Sequence, residues 1–86
     1  MRIYQTEISN AYIGLQVRKR RLQMGWTAHT LGKVGIKPTA NLRYERGTQN
    51  FTIHRLCIFA NVLQCDLDYF LEQNSYKNLS LVNTNL

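Results

Sequence analysis

Lys37, Arg43 and Arg46 stand close together against a single acid, Glu45, with Thr39 and Asn41 interleaved among them. Ammonium, guanidinium, hydroxyl and amide groups at this density can donate to phosphate oxygens and to the edges of bases. Arginine takes guanine O6 and N7 together, asparagine takes adenine N6 and N7, and a threonine methyl or an alanine meets the thymine methyl. The segment opens at Gly35 and stops at Gly47. Lys37, preceding proline, is expected to be extended, and Pro38 suits a first helical turn because its missing N–H has no partner there anyway. The spacing predicts a short basic helix over 38–46 hung from a glycine turn, the shape that enters a DNA major groove. Arg43 is the leading base reader. Pro38, Thr39 and Ala40, with Asn41 if it is exposed, complete the expected base-edge set, while Arg18, Lys19, Lys37 and Arg46 are expected at phosphates. Thr27 and Thr39 can add hydroxyl or helix-end N–H donors.

Four other helices are expected to carry this one. Ser9 or Asn10 can cap a first helix in which Ile13, Val17, Arg20 and Met24 recur at helical spacing up to Gly25. Arg20 interrupts that apolar stripe, so its stem should lie along the core edge with its head in solvent. Thr27 opens a second helix with Leu31 and Val34 inward and Gly35 at its end. Thr52 caps a fourth, with Ile53, Leu56, Phe59, Ala60 and Leu63 as its apolar set. Asp66 caps a fifth, with Leu67, Phe70 and Leu71 apolar. The fold class is therefore all-α, a bundle of five short helices. An amino-terminal arm is expected over 1–10, the domain proper over 11–73, and a polar tail over 74–86.

The chain of 86 residues is one domain, and its hydrophobic content of 44% is ordinary for a globular protein. Net charge is +6, unevenly placed: from Gly14 to Arg46 there are eight basic residues and one acid, and from Gly47 onward two basic against three acidic. The asymmetry suggests one face for a polyanion and another for packing or a partner. Cys57 and Cys65 are too few for a disulfide framework, and no apolar run approaches a membrane span, so a reduced, cytoplasmic, nucleoid-associated protein is expected. No cofactor is implied. His54 and Cys57 are three apart, yet no second ligand pair stands at zinc spacing, and no nucleophile motif or phosphate-cradling glycine loop suggests an enzyme.

From Ile13 to Glu72 the chain resembles the lambda-repressor-like family of helix-turn-helix domains, which includes phage repressors, Cro-type regulators and xenobiotic-response-element regulators. Three blocks carry the resemblance in order. The first is Ile13-Gly14, Val17-Arg18, Arg20-Arg21 and Gly25-Trp26-Thr27, and the second is Gly35-Ile36 with Tyr44-Glu45-Arg46-Gly47. The third is Phe51-Thr52-Ile53, Leu56, Phe59-Ala60, Val62-Leu63, Cys65-Asp66-Leu67-Asp68 and Phe70-Leu71. The resemblance implies a five-helix lambda-repressor-like bundle, a transcriptional regulator of repressor type, and an ion pair between Arg21 and Glu45 that fixes the third helix. It also implies backbone contacts from Thr48 and Asn50.

Two departures stand out. The position after Thr27, usually glutamine in the family, is Ala28, so one phosphate contact is missing. Leu31 to Gly35 is one residue short, and removing a residue turns the rest of a helix by about 100°. Anchoring on Gly35 and Glu45 therefore turns Asn41 inward, whereas counting from Leu31 turns Leu42 inward and exposes Asn41. Burying an unpaired amide costs about 1–3 kcal/mol, which weighs toward Leu42.

A domain this small gains specificity as a homodimer on double-stranded DNA, reading half-sites about 34 Å apart. Leu67, Tyr69, Phe70 and Leu71 are its expected dimer surface. The competing reading is an antitoxin or anti-repressor on the same fold with weakened DNA binding, its tail (Leu79, Leu81, Val82, Leu86) engaging a protein partner.

Overall fold

Three hydroxyls set where helices begin. In the computed structural model, which describes residues 8–72, Ser9 Oγ accepts from the Tyr12 N–H at 3.0 Å, Thr27 Oγ1 from Thr30 at 3.2 Å and Thr52 Oγ1 from Arg55 at 3.0 Å. Each satisfies a donor that the helix start would leave orphaned. They open α1 (Asn10–Gln23), α2 (Ala28–Gly32) and α4 (Ile53–Val62). Between these, α3 (Pro38–Arg46) begins on its proline after an extended Lys37, as expected, and has no side-chain cap. The last helix, α5 (Leu67–Leu71), follows Asp66, whose carboxylate stands at the cap position without making the capping bond expected of it. The five-helix all-α order is as predicted. The tail over 74–86 and most of the arm lie outside the described residues. No helix among the described residues is long and apolar enough to cross a membrane.

Four helices close in one way. The N–H groups of Trp26, Ile36, Thr48 and Cys65 reach back five residues to the carbonyls of Arg21, Leu31, Arg43 and Ala60, at 3.1, 3.0, 3.0 and 3.0 Å. This closure needs a left-handed residue just before each donor. Glycine supplies it three times, and at the end of α4 the residue is Gln64, with φ 55°. Arg20 reinforces that same end. Its Nε donates to the Leu63 carbonyl at 2.8 Å and its Nη2 to the Gln64 carbonyl at 3.1 Å. Its head is thus not left to solvent, as the sequence suggested, but spent on the carbonyl end of α4, where a cation is favoured by the helix dipole.

The core joins Ile13 and Val17 of α1, Leu31, Ile36, Tyr44, the inner face of α4 and Phe70. Tyr44, Phe51 and Phe59 form an aromatic triangle with centroids 4.8, 5.4 and 5.9 Å apart, a geometry that adds to simple burial. Three expectations need correcting. Val34 is exposed because α2 ends at Gly32, and the turn that follows carries Val34 outward and brings Ile36 in. Ile53, at the exposed first turn of α4, is 71% exposed. Phe70 is 0% exposed within a single chain, so it belongs to the core and not to a surface for a second copy. Leu67, Tyr69 and Leu71 pack half-buried around it. At the other end of α1 the Tyr12 hydroxyl donates to the Glu72 carbonyl, and burial, then the Glu72 charge, push its phenol above the usual range.

Gly14 lets α1 and α3 meet backbone to backbone. A methyl group there would lie 2.2 Å from the Tyr44 carbonyl oxygen and 2.7 Å from that of Glu45. Alanine is ordinarily the better helix former by about 1 kcal/mol, but here the clash is with backbone that has nowhere to go. Gly14→Ala is expected to destabilise by about 2–3 kcal/mol, lowering the thermal midpoint by roughly 10 °C or more. Gln64→Gly is expected to do the reverse, gaining about 0.5–1 kcal/mol by relieving a left-handed side-chain-bearing residue. Thermal unfolding by circular dichroism checks both, and a neutral Gly14→Ala would mean that the two helices are free to separate.

Candidate nucleic-acid interface

Glu45 fixes how α3 sits. Arg21 donates to it through Nε at 2.7 Å and Nη2 at 2.9 Å, in the fork geometry that guanidinium and carboxylate share. The side chains are only 12% and 6% exposed. The remaining guanidinium nitrogen, Nη1, donates to the Trp26 carbonyl at 2.9 Å, so the same arginine also holds the α1–α2 turn. Hydrogen bonding to Glu45 pushes the Arg21 pKa further up, outweighing the opposing effect of burial. The pairing expected from the resemblance is therefore present.

The open choice between Asn41 and Leu42 resolves to Asn41. It is 1% exposed, while Leu42 is 43% exposed, so Asn41 is withdrawn from the base-edge set and Leu42 from the core. The reason is chemical: Asn41 Nδ2 donates to Glu45 Oε2 at 2.6 Å. The amide is not buried unpaired, and the penalty that favoured Leu42 is largely offset, although Asn41 Oδ1 has no partner among the described residues. The one acid between Gly14 and Arg46 is thus consumed internally, and the charged side chains exposed on α3 are all basic.

Lys37, Pro38, Thr39, Arg43 and Arg46 of the α3 segment are exposed and Ala40 is half-buried, while Arg18 and Lys19 of α1 and Thr27 before α2 are also exposed. Arg18, Arg21, Leu42, Glu45 and Arg46 line a shallow groove, which places Arg18 of α1 beside the flank of α3. The three polar residues expected at phosphates each have a hydrogen-bond partner within the chain. Besides capping α2, Thr27 Oγ1 lies 3.1 Å from Thr30 Oγ1, and Thr48 Oγ1 donates to the Arg43 carbonyl at 3.2 Å. Asn50 Oδ1 accepts from Asn10 Nδ2 at 2.7 Å, while Asn10 Oδ1 accepts from the Phe51 N–H at 3.2 Å, stitching the loop after α3 to the start of α1. The sequence reading missed that stitch because two asparagines forty residues apart give no local signal.

The residues weighed for other chemistry are dispersed. His54 is exposed and Cys57 half-buried, and no group of three or more potential metal ligands exists among the described residues. Burial pushes the Cys65 thiol up, with Arg20 acting in the opposite direction.

Residues 17–70 match the family model for helix-turn-helix proteins. Among solved structures, the DNA-binding domain of BldD aligns with a TM-score of 0.68 at 25% identity, covering 72% of this chain and 92% of that one. The S. venezulae BldD DNA-binding domain gives the same score and identity over 72% and 94%. The restriction-modification controller protein C.AhdI from Aeromonas hydrophila aligns at 0.66 and 21% identity over 71% and 94%, a likeness of fold. No curated protein gives a match.

Removing either member of the buried pair strands the other. Arg21→Ala and Glu45→Ala are each expected to cost about 3 kcal/mol. The double variant should lose less than their sum by about 1–3 kcal/mol. Urea unfolding of the four proteins measures this coupling, and strict additivity would show that the contact holds nothing in place.

Proposed function

This chain belongs to the helix-turn-helix family of DNA-binding regulators, and on that premise we propose that it is a sequence-specific, homodimeric transcriptional repressor. The observation that carries the reading is the face of α3, where Lys37, Arg43 and Arg46 are exposed while Glu45 is paired with Arg21 inside. A duplex is captured first by charge. Arg18, Lys19, Lys37 and Arg46 neutralise phosphates and release counterions, Thr27 and the Asn50 amide nitrogen add donors, and Thr48 turns its hydroxyl from the Arg43 carbonyl to a phosphate. The exposed strip of α3 then enters the major groove, with Arg43 taking guanine O6 and N7, and Pro38, Thr39 and Ala40 lying against neighbouring base edges. Repression follows from occupancy of the site in a cytoplasmic, nucleoid-associated setting.

Two copies give the specificity that one small module lacks. With Phe70 withdrawn, the surface left for self-association is the half-buried set Leu67, Tyr69 and Leu71 around α5. The competing role, an antitoxin or anti-repressor with weakened DNA binding, draws on Ala28 and on an α2 of only five residues. Its protein-binding element, the tail over 74–86, lies outside the described residues.

Selection from a random duplex pool tests the proposal. A two-fold-symmetric motif containing a guanine is expected, and Arg43→Ala should lose that guanine preference at a cost of about 1–3 kcal/mol. Arg46→Ala should instead weaken binding uniformly across sequences and lower the log–log salt slope by about 0.9, the value for one phosphate contact. Absence of salt-sensitive duplex binding would overturn the reading and favour the protein-binding role.

A further inference from the structure

We propose that Leu42 reads a thymine in the operator by seating its side chain against the C5-methyl group; the inference rests on the DNA-binding reading of α3 and deepens it. Asn41 occupies the inward position of the helix, so the core does not need Leu42, which stands 43% exposed. Three and four residues apart on a helix share a face, so Thr39, Leu42, Arg43 and Arg46 form one outward strip. Arg18 and Arg46 flank Leu42 in the shallow groove between α1 and α3. A leucine is thus held out among cations, on the strip that meets the bases.

What that leucine recognises follows from the chemistry of the groove. Among the groups a base pair presents in the major groove, the thymine methyl is the one apolar group, and all others are donors or acceptors. Set against adenine N6 or cytosine N4, Leu42 would strip water from a polar group and return no hydrogen bond. Set against thymine it removes apolar surface on both sides from water, at about the worth of one methyl or methylene group. Arg43 and Leu42 would then divide the work, with Arg43 choosing guanine by paired hydrogen bonds and its neighbour choosing thymine by exclusion of polar edges.

The test separates this inference from its premise. Sites are first selected with the unaltered protein. The enriched duplex is then compared with one carrying uracil for thymine, which removes only the methyl group. Uracil at one thymine of each half-site is expected to weaken binding about threefold to fourfold per half-site. Leu42→Ala, at an exposed position, should bind the thymine duplex more weakly by a similar factor and become indifferent to uracil, while keeping the guanine preference of Arg43. Equal binding of thymine and uracil duplexes, or a thymine preference that survives in Leu42→Ala, would overturn the proposal and leave DNA binding standing. Failure to enrich any site would overturn both, and unchanged melting of Leu42→Ala excludes misfolding as the cause.

Discussion

One buried carboxylate determines which side of α3 faces outward. Glu45 accepts from Arg21 Nε and Nη2 and from Asn41 Nδ2, three charge-assisted bonds on a side chain 6% exposed. An interaction of this kind adds little net stability over a well-packed apolar substitute, because both charges must first lose water. What it supplies is direction. The fork geometry of guanidinium and carboxylate tolerates little rotation, and Asn41, one turn earlier on the same helix, is drawn to the same oxygen. A helix held at 41 and 45 by polar bonds cannot roll to present Asn41 outward without leaving Arg21 and Glu45 unpaired in a dry place.

Shape reinforces what charge specifies. Gly14 brings α1 against the Tyr44 and Glu45 carbonyls, and Gly47 brings the end of α3 against Ala11, where an added methyl would lie 2.6 Å from the Ala11 Cα. These contacts fix the distance between the helices, and the ion pair fixes the angle about the α3 axis. Tyr44 sits between the two restraints with its ring against Phe51 and Phe59 and the Arg55 guanidinium 5.6 Å from its centroid. Arg55 is therefore a cation taken up by packing, and the basic face is narrower than the count of positive charges suggests.

Much of this was legible in the sequence, and what was not has physical reasons. Caps at Ser9, Thr27 and Thr52 were readable because a hydroxyl three residues before its donor is a local arrangement. The Arg21–Glu45 pair was readable only through the resemblance, since a contact between residues 21 and 45 leaves no periodic trace. Asn41 was weighed as an unpaired amide, and the weighing failed because its partner, Glu45, is itself held inside by Arg21: two long-range facts had to be known before a local cost could be judged. Arg20 fell for a similar reason, as its destination is a pair of backbone carbonyls at the end of α4. Val34 was placed inward because hydrophobic spacing assumes an unbroken helix, and α2 breaks at Gly32. Phe70 was assigned to a surface because a five-residue helix is too short for its pattern to separate an inner from an outer face.

Measured against the pattern that the sequence resembles, Leu31 to Gly35 is one residue short, which raises a last question: why a shortened α2 does not turn the whole of α3. If the chain path alone set helix phase, a one-residue loss would rotate everything downstream by about 100°. The turn absorbs the loss instead. The helix α2 closes at Gly32, Gly35 takes φ 98°, and the Ile36 N–H returns to the Leu31 carbonyl, so Ile36 reaches the core by a route with no helical register. Gly32 leaves room for Pro38, whose Cδ would lie 3.3 Å from any added methyl. Downstream of that pivot α3 is held mainly by α1, through Arg21 and the close approach at Gly14. Sequence change in the turn is in this way insulated from the exposed strip of α3.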